Sequence, residues 1–125
     1  MEIDCIALFV SDLERSLVFY RDILDFKFEK PIKNGGIEGY SGSLKIGLYD
    51  RSWLNQLFDS SFSCSDLSNI SFLISIKVKD LDQVYRHLLN AQVNIVKPPT
   101  IMPWGQRVIF LHDPDLNLIE ILQQS

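Results

Sequence analysis

With 125 residues and 14.4 kDa, the chain is long enough for one ordinary domain with a sizeable core and too short for two independent ones. A hydrophobic share of 46 % and a charged share of 22 %, with six glycines and five prolines, exclude disorder and fibrous repeats. Twelve basic against sixteen acidic residues leave a formal charge of −4, which gives no footing for a general nucleic-acid binder.

Two cysteines, Cys5 and Cys64, make neither a disulfide framework nor a zinc-finger spacing. The N-terminus lacks a basic region, since Glu2 and Asp4 stand there, and its longest apolar run, Cys5 to Val10, falls far short of the ~20 residues of a membrane span. No C-terminal lipidation or retention motif is present. The expected location is cytoplasmic, with no membrane partner.

Ile3 to Val10 is apolar and rich in β-formers, a strand that ends at Ser11-Asp12. Ser11 and Glu14 fit a capping box for a helix whose stripe is Leu13, Leu17, Tyr20 and Leu24, ending near Ile23 or Leu24. Phe26 to Glu29 alternates and reads as a strand closed by Pro31. Asn34-Gly35-Gly36 is a tight turn. Ile37 to Ser41 and Leu44 to Tyr49 are strands joined through Ser41-Gly42-Ser43. Gly39 and Gly47 lie inside them, where glycine weakens a strand and marks a bulge or a close approach.

Asp50 to Asn69 is a long connection, serine-rich after Asp59, with helical spacing at Trp53, Leu54, Leu57 and Phe58. The pattern then restarts. Ile70 to Val78 reads as a strand. Asp80 and Gln83 form a capping box for a helix with the stripe Leu81, Val84, Tyr85, Leu88 and Leu89. Val93 to Val96 is a strand ended by Pro98-Pro99. Gln106 to Leu111 and Leu116 to Leu122 are strands separated by the turn Asp113-Pro114-Asp115.

The halves share one order, and Val10-Ser11-Asp12-Leu13 returns as Val78-Lys79-Asp80-Leu81. An internal repeat governs the fold assignment. The chain is then one domain, 1–125, of two modules (about 1–50 and 70–125) joined by residues 50–69.

Two segments carry a family resemblance. FVSDLERSLVFYRDILDFKFE (Phe9 to Glu29) and PWGQRVIFLHDPDLNLIEI (Pro103 to Ile121) resemble the N- and C-terminal signatures of the glyoxalase, bleomycin-resistance and extradiol dioxygenase (vicinal oxygen chelate) superfamily. The resemblance implies an α+β fold of two βαβββ modules with a cupped mixed β-sheet and helices outside. It also implies a homodimer with sheet-lined cavities. It does not imply one chemistry, because this fold hosts metal-dependent isomerases, lyases, dioxygenases and drug-binding proteins.

The family's four metal-ligand positions, usually His or Glu, fall on Cys5, Gly47, Leu73 and Glu120. Glu120 alone is a hard ligand, and a catalytic zinc needs three protein ligands. His87 on the second helix and His112 beside the Asp113 turn lie elsewhere, so no metal and no cofactor is expected. The faces of the four positions bring in Ala7 and Phe9, Lys45 and Tyr49, Ser75 and Lys77, and Leu118 and Leu122, an apolar surface with a few polar groups.

The expected ligand set is Glu120, Trp104, Lys77, Ser75, Tyr49, Phe9 and Cys5, with Glu120 on the floor of a pocket between the module sheets and Trp104 at its mouth. A carboxylate on an apolar strand wants a partner; Lys77, Lys45 or a backbone group is expected for Glu120. Arg107 is expected to pair with Asp113 or Asp115. Leu116 stands where the family usually has a glycine of positive φ.

The sequence thus points to a metal-free binding protein of the bleomycin-resistance type, sequestering a small, cationic aromatic ligand in a dimer cavity. Two alternatives stand beside it. One is a glyoxalase-like lyase or isomerase using Glu120 as base, or as part of a nonstandard metal site. The other is a structural or regulatory partner protein without a small ligand.

Overall fold

A computed structural model describes residues 3–53 and 73–124. The helical spacing after Trp53, Cys64 and the start of the Ile70 strand lie outside the described residues. The chain forms two compact units, Met1–Ser65 and Asp66–Ser125.

In the first unit, β1 (Ile6–Val10) leads into α1 (Leu13–Leu17), which widens into a π-helical turn over Val18–Ile23. The strands β2 (Gly36–Ser41) and β3 (Leu44–Asp50) follow. The sheet order is β1-β3-β2, with β1 parallel and β2 antiparallel to β3. The second unit repeats the plan with β4 (Leu73–Val78), α2 (Leu81–Asn90), β5 (Ile95–Ile101), β6 (Arg107–His112) and β7 (Leu118–Gln123). Its order is β4-β7-β6-β5, again with the first strand parallel to the last. The architecture is α+β, in two mixed sheets. Among the described residues no helix is long and apolar enough to cross a membrane.

Alternation along the strands fixes which face is core. In the first unit Leu8, Val10, Ile37, Ile46 and Leu48 are buried on one face, together with Leu17, Phe19, Tyr20 and Phe26. The π turn, closed by Leu24 N–H donating to the Phe19 carbonyl (3.0 Å), lets the neighbours Phe19 and Tyr20 both turn inward, edge to face at 5.1 Å. In the second unit Ile109, Leu111, Ile119 and Ile121 are buried, with Leu81 and Leu88 of α2 also in the core. Leu89, at the margin of the α2 stripe, stays half exposed.

Four expectations are corrected. The cap of α1 is Asp12, not Ser11, because its Oδ1 accepts from Arg15 N–H at 3.1 Å. Asp80 caps α2 as expected, accepting from Gln83 N–H. Phe26 to Glu29 forms one bridge, Lys27 to Tyr40, rather than a strand. Phe26 N–H is taken by the Tyr20 carbonyl (2.9 Å), which ties the segment to the helix end instead of the sheet edge. β5 runs through Pro98-Pro99 to Ile101 rather than stopping before them. It is the outer strand of its sheet and its register shifts on both sides of Lys97, so missing proline N–H groups leave no ladder bond unmade. Arg107 pairs with Asp82 of α2 (2.6 Å) and not with Asp113 or Asp115.

Asp113 instead organises the last turn. It is buried, and Oδ1 accepts from the N–H groups of Asp115 (2.9 Å) and Asn117 (2.8 Å). This geometry puts Leu116 at φ +65°, with its side chain exposed, and delays β7 to Leu118. A leucine in the left-handed region is strained by about 1 kcal/mol, so Leu116→Gly is expected to stabilise the fold by roughly that amount, less the added chain entropy of glycine. Thermal or urea denaturation checks the sign.

Candidate functional site

The face of each sheet opposite its core carries the chemistry. In the first unit the register sets Ala7 against Gly47 and Phe9 against Tyr49 on one side of β3, and Glu38 against Gly47 and Gly36 against Tyr49 on the other. Cys5, Ala7 and Phe9 therefore share a face with Lys45, Gly47 and Tyr49, as strand alternation predicts.

The Tyr49 ring occupies this face by lying over glycines. A Cβ on Gly47 would overlap the ring and sit 3.0 Å from the phenol oxygen, and one on Gly36 would come within 2.7 Å of its other edge. The phenol donates to Glu38 Oε1 at 3.0 Å, and Lys45 lies 3.8 Å from the other oxygen of that carboxylate. Burial and the Glu38 carboxylate push the Tyr49 phenol up to about 12, so it stays a neutral donor. Burial, then Glu38, also raises the Cys5 thiol, against the opposing pull of Lys45. Cys5 is a free thiol and is held away from the thiolate form that binds metal.

Beside this ring lies a cleft of about 450 Å³, walled by Tyr49, Trp53 and Tyr40 and rimmed by Lys27, Lys30 and Lys33. Trp53 meets Tyr49 edge to face at 5.9 Å, and its indole N–H donates to the Asn34 carbonyl at 3.0 Å. The turn that supplies this carbonyl has φ of +55° at Asn34 and +74° at Gly35, the two-residue hairpin geometry that Asn-Gly favours. Glu38, Trp53 and the three lysines were not among the expected ligand residues. The regular Gly36, Glu38, Tyr40 alternation carried the signal for Glu38. The lysines, at irregular spacing before a turn, carried none.

In the second unit Ser75 stands opposite Glu120, and Phe110 flanks Glu120 on the other side. The Ser75 hydroxyl donates to Glu120 Oε1 at 2.8 Å. Glu120 is thus paired by Ser75 rather than by Lys77 of its own sheet, and Lys45 faces Glu38. Lys77 lies one step along the same face, opposite Leu122. Trp104 is two-thirds exposed in the turn between β5 and β6, where Gly105 takes φ +93°. It lies past the start of β6 at Arg107, whereas Glu120 pairs with Phe110; the strand between spans about 10 Å. Each expected residue of this half therefore reaches the open face or its end, but Glu120 and Trp104 are not adjacent.

Among the described residues the family's ligand positions supply no donor set in either unit. Gly47 and Leu73 have no donor atom, and the space above Gly47 belongs to the Tyr49 ring. Among the described residues no three His, Cys, Asp or Glu side chains cluster as ligands. His112 contacts Asn94 through its Nδ1 at 3.4 Å.

Comparison with known proteins agrees with this fold. The Glyoxalase-like domain family matches residues 3–124. An uncharacterised protein of Bacillus subtilis, YraH, is 31 % identical over 121 residues, covering 93 % of each chain. A bleomycin resistance protein of Geobacillus stearothermophilus is 30 % identical over 126 residues, covering 94 % of this chain and 93 % of its own. A solved glyoxalase/bleomycin resistance/dioxygenase superfamily member from Sphaerobacter thermophilus superposes with a TM-score of 0.71 at 25 % identity, over 99 % of this chain and 98 % of that one.

Two outcomes follow from the Tyr49 packing. Gly47→Ala is expected to destabilise by roughly 1–3 kcal/mol, the scale of overpacking, and Tyr49→Ala in the same chain should recover part of that loss, a coupling read by a double-mutant cycle. Since the folded phenol titrates at about 12, above the unfolded value near 10, its contribution to stability is full below pH ~10 and is lost as pH rises through 12. Absorbance at the phenolate band should show a late-titrating tyrosine component that Tyr49→Phe removes.

Proposed function

Because this chain belongs to the glyoxalase-like domain family, we propose that it works as a small-molecule-binding member of the bleomycin-resistance type, a cytoplasmic homodimer that sequesters its ligand without a metal. The observation that carries this reading is the replacement of donors by packing. Where the fold calls for a ligand at position 47, a glycine makes room for an aromatic ring that is itself hydrogen-bonded to Glu38. A surface of rings, methylenes and a few paired polar groups is what a ligand pocket requires. The 30 % identity to the bleomycin resistance protein, over nearly the full length of both chains, supports the same class.

On the second sheet, Glu120 is the anchor for a cationic ligand. Ser75 satisfies Oε1, and a carboxylate retains acceptor capacity at its other oxygen. Leu118, Leu122 and Phe110 around it are half-buried, so the charge acts in a partly dry setting. A ligand that pairs with Glu120 and stacks on Trp104 must run along β6. This favours an elongated cationic aromatic over a compact one. The enzymatic alternative with Glu120 as base is weaker, since its adjoining group is a serine hydroxyl and, among the described residues, no cation is paired with it to hold an enolate.

Bleomycin and simple cationic aromatics, used as probes, are expected to raise the melting temperature progressively, with the logarithm of concentration above the Kd. Glu120→Gln should weaken binding by roughly 1–3 kcal/mol, and Trp104→Ala should weaken elongated ligands more than compact ones. An equal shift in wild type and both variants overturns the assigned site. Light scattering should give a mass near twice 14.4 kDa, and elemental analysis of protein purified without chelator should find no stoichiometric transition metal.

A further inference from the structure

We propose that the cleft of the first unit is a binding site for a small aromatic anion, a carboxylate or a phosphate ester, gripped by Lys30 and Lys33 against the Tyr49–Trp53 wall. The proposal shares the Tyr49 packing with the function proposed above but uses neither Glu120 nor Trp104, and every residue it uses belongs to the first unit.

The cavity, about 450 Å³, has the size of small-molecule sites. Its charges sort by what they already contact. Lys27 is 3.0 Å from Asp25. Glu38 accepts the Tyr49 phenol and faces Lys45. Among the described residues Lys30 and Lys33 have no such partner, and Glu29 is the one further carboxylate on the rim. The uncommitted charge of the cleft is therefore positive, although the chain as a whole is acidic. A concave surface with a net excess of one charge, here Lys30 and Lys33 against Glu29, concentrates a counter-ion beyond what isolated surface lysines achieve.

The aromatic wall is fixed before any ligand arrives. Tyr49 is pinned by its bond to Glu38 and by the two glycines beneath it, and Trp53 by its bond to Asn34. Rigid rings take up a planar ligand with little loss of side-chain freedom. The indole N–H and the phenol O–H are both spent inside the protein, so the wall offers ring surface and the lysines supply the polar recognition. A flat, apolar body with one anionic group meets both. Two strand glycines on one face, each opposed to the same ring, weaken the sheet; a preformed ring platform gives that weakness a use.

The test is an NMR titration of the ¹⁵N-labelled full chain carrying Trp104→Phe, in which the indole N–H resonance belongs to Trp53 alone. The probes are 2-naphthoate, 2-naphthyl phosphate, the neutral 2-naphthamide and the cationic 2-naphthylmethylammonium. Both anions are expected to shift the Trp53 resonance and to bind at least five times more tightly than the amide. The tighter of the two identifies carboxylate or phosphate as the natural group. The double variant Lys30→Gln/Lys33→Gln, altered at exposed positions that leave the core untouched, should lose about tenfold in affinity for the anions and little for the amide. Added salt should weaken the wild type more than this variant. Equal binding of amide and anions, tighter binding of the ammonium, unchanged affinity in the lysine variant, or no shift with any probe at millimolar concentration would each overturn the proposal.

Discussion

One ring resting on two glycines organises the chemistry of the first unit. Without a Cβ at Gly36 and Gly47, the Tyr49 side chain lies along the sheet instead of standing away from it. That posture brings its phenol to Glu38, and Glu38 in turn gathers Lys45. Burial, and after it the same carboxylate, raises the Cys5 thiol. The ring also presents its side to Trp53, which closes the wall of the cleft. Any side chain at position 47, a metal-binding histidine included, meets that ring first. A donor side chain at position 47 is thus opposed by packing as well as by composition.

The second unit shows what the same register does with other residues. Gly47 sits opposite Ala7 in one sheet, and Glu120 sits opposite Ser75 in the other. The backbone plan is repeated while the side chains have separated into different chemistry. In the first unit the central position is empty and an aromatic two residues on fills it. In the second the central position is a carboxylate, bonded to the hydroxyl across the strand pair, and the residue two on is Leu122. A repeat of this kind preserves pairing, because pairing is set by the backbone and the buried face. The open faces are free to diverge.

This division also explains what the sequence made legible. The two strand-helix units, the buried stripes, the Asp80 cap and the repeat followed from periodicity, which reports the core. The places where it misled are local contests between backbone partners. Phe26 N–H goes to the helix end instead of the neighbouring strand. Pro98 and Pro99 are tolerated because their strand is an outer one with bulges, a property of sheet order that no short window contains. Arg107 finds Asp82, twenty-five residues away on a helix, where the sequence offered nearer aspartates. On the site, the strand faces were legible from alternation alone. The Tyr49–glycine packing was foreshadowed by Gly47, a strand glycine that signals close approach, but its partner was not. The lysine rim was hidden because irregular segments have no period to read.

Net charge is an average over a surface, whereas a ligand meets a local field. Of the acidic excess in this chain, Asp82 is engaged by Arg107, Asp25 by Lys27 and Asp22 by Arg21, while Asp12 and Asp80 cap helices and Asp113 is buried in its turn. Carboxylates committed in this way contribute little to an electrostatic welcome for a cation at distant sites, because exposed pairs are screened within a Debye length of roughly 8–10 Å. What a ligand encounters is the uncommitted remainder near each concavity. That remainder is a carboxylate oxygen of Glu120 on one sheet and the Lys30–Lys33 rim on the other. An acidic chain can therefore carry an uncommitted carboxylate oxygen on one sheet and an uncommitted lysine rim beside the other, although both sheets descend from one repeated plan.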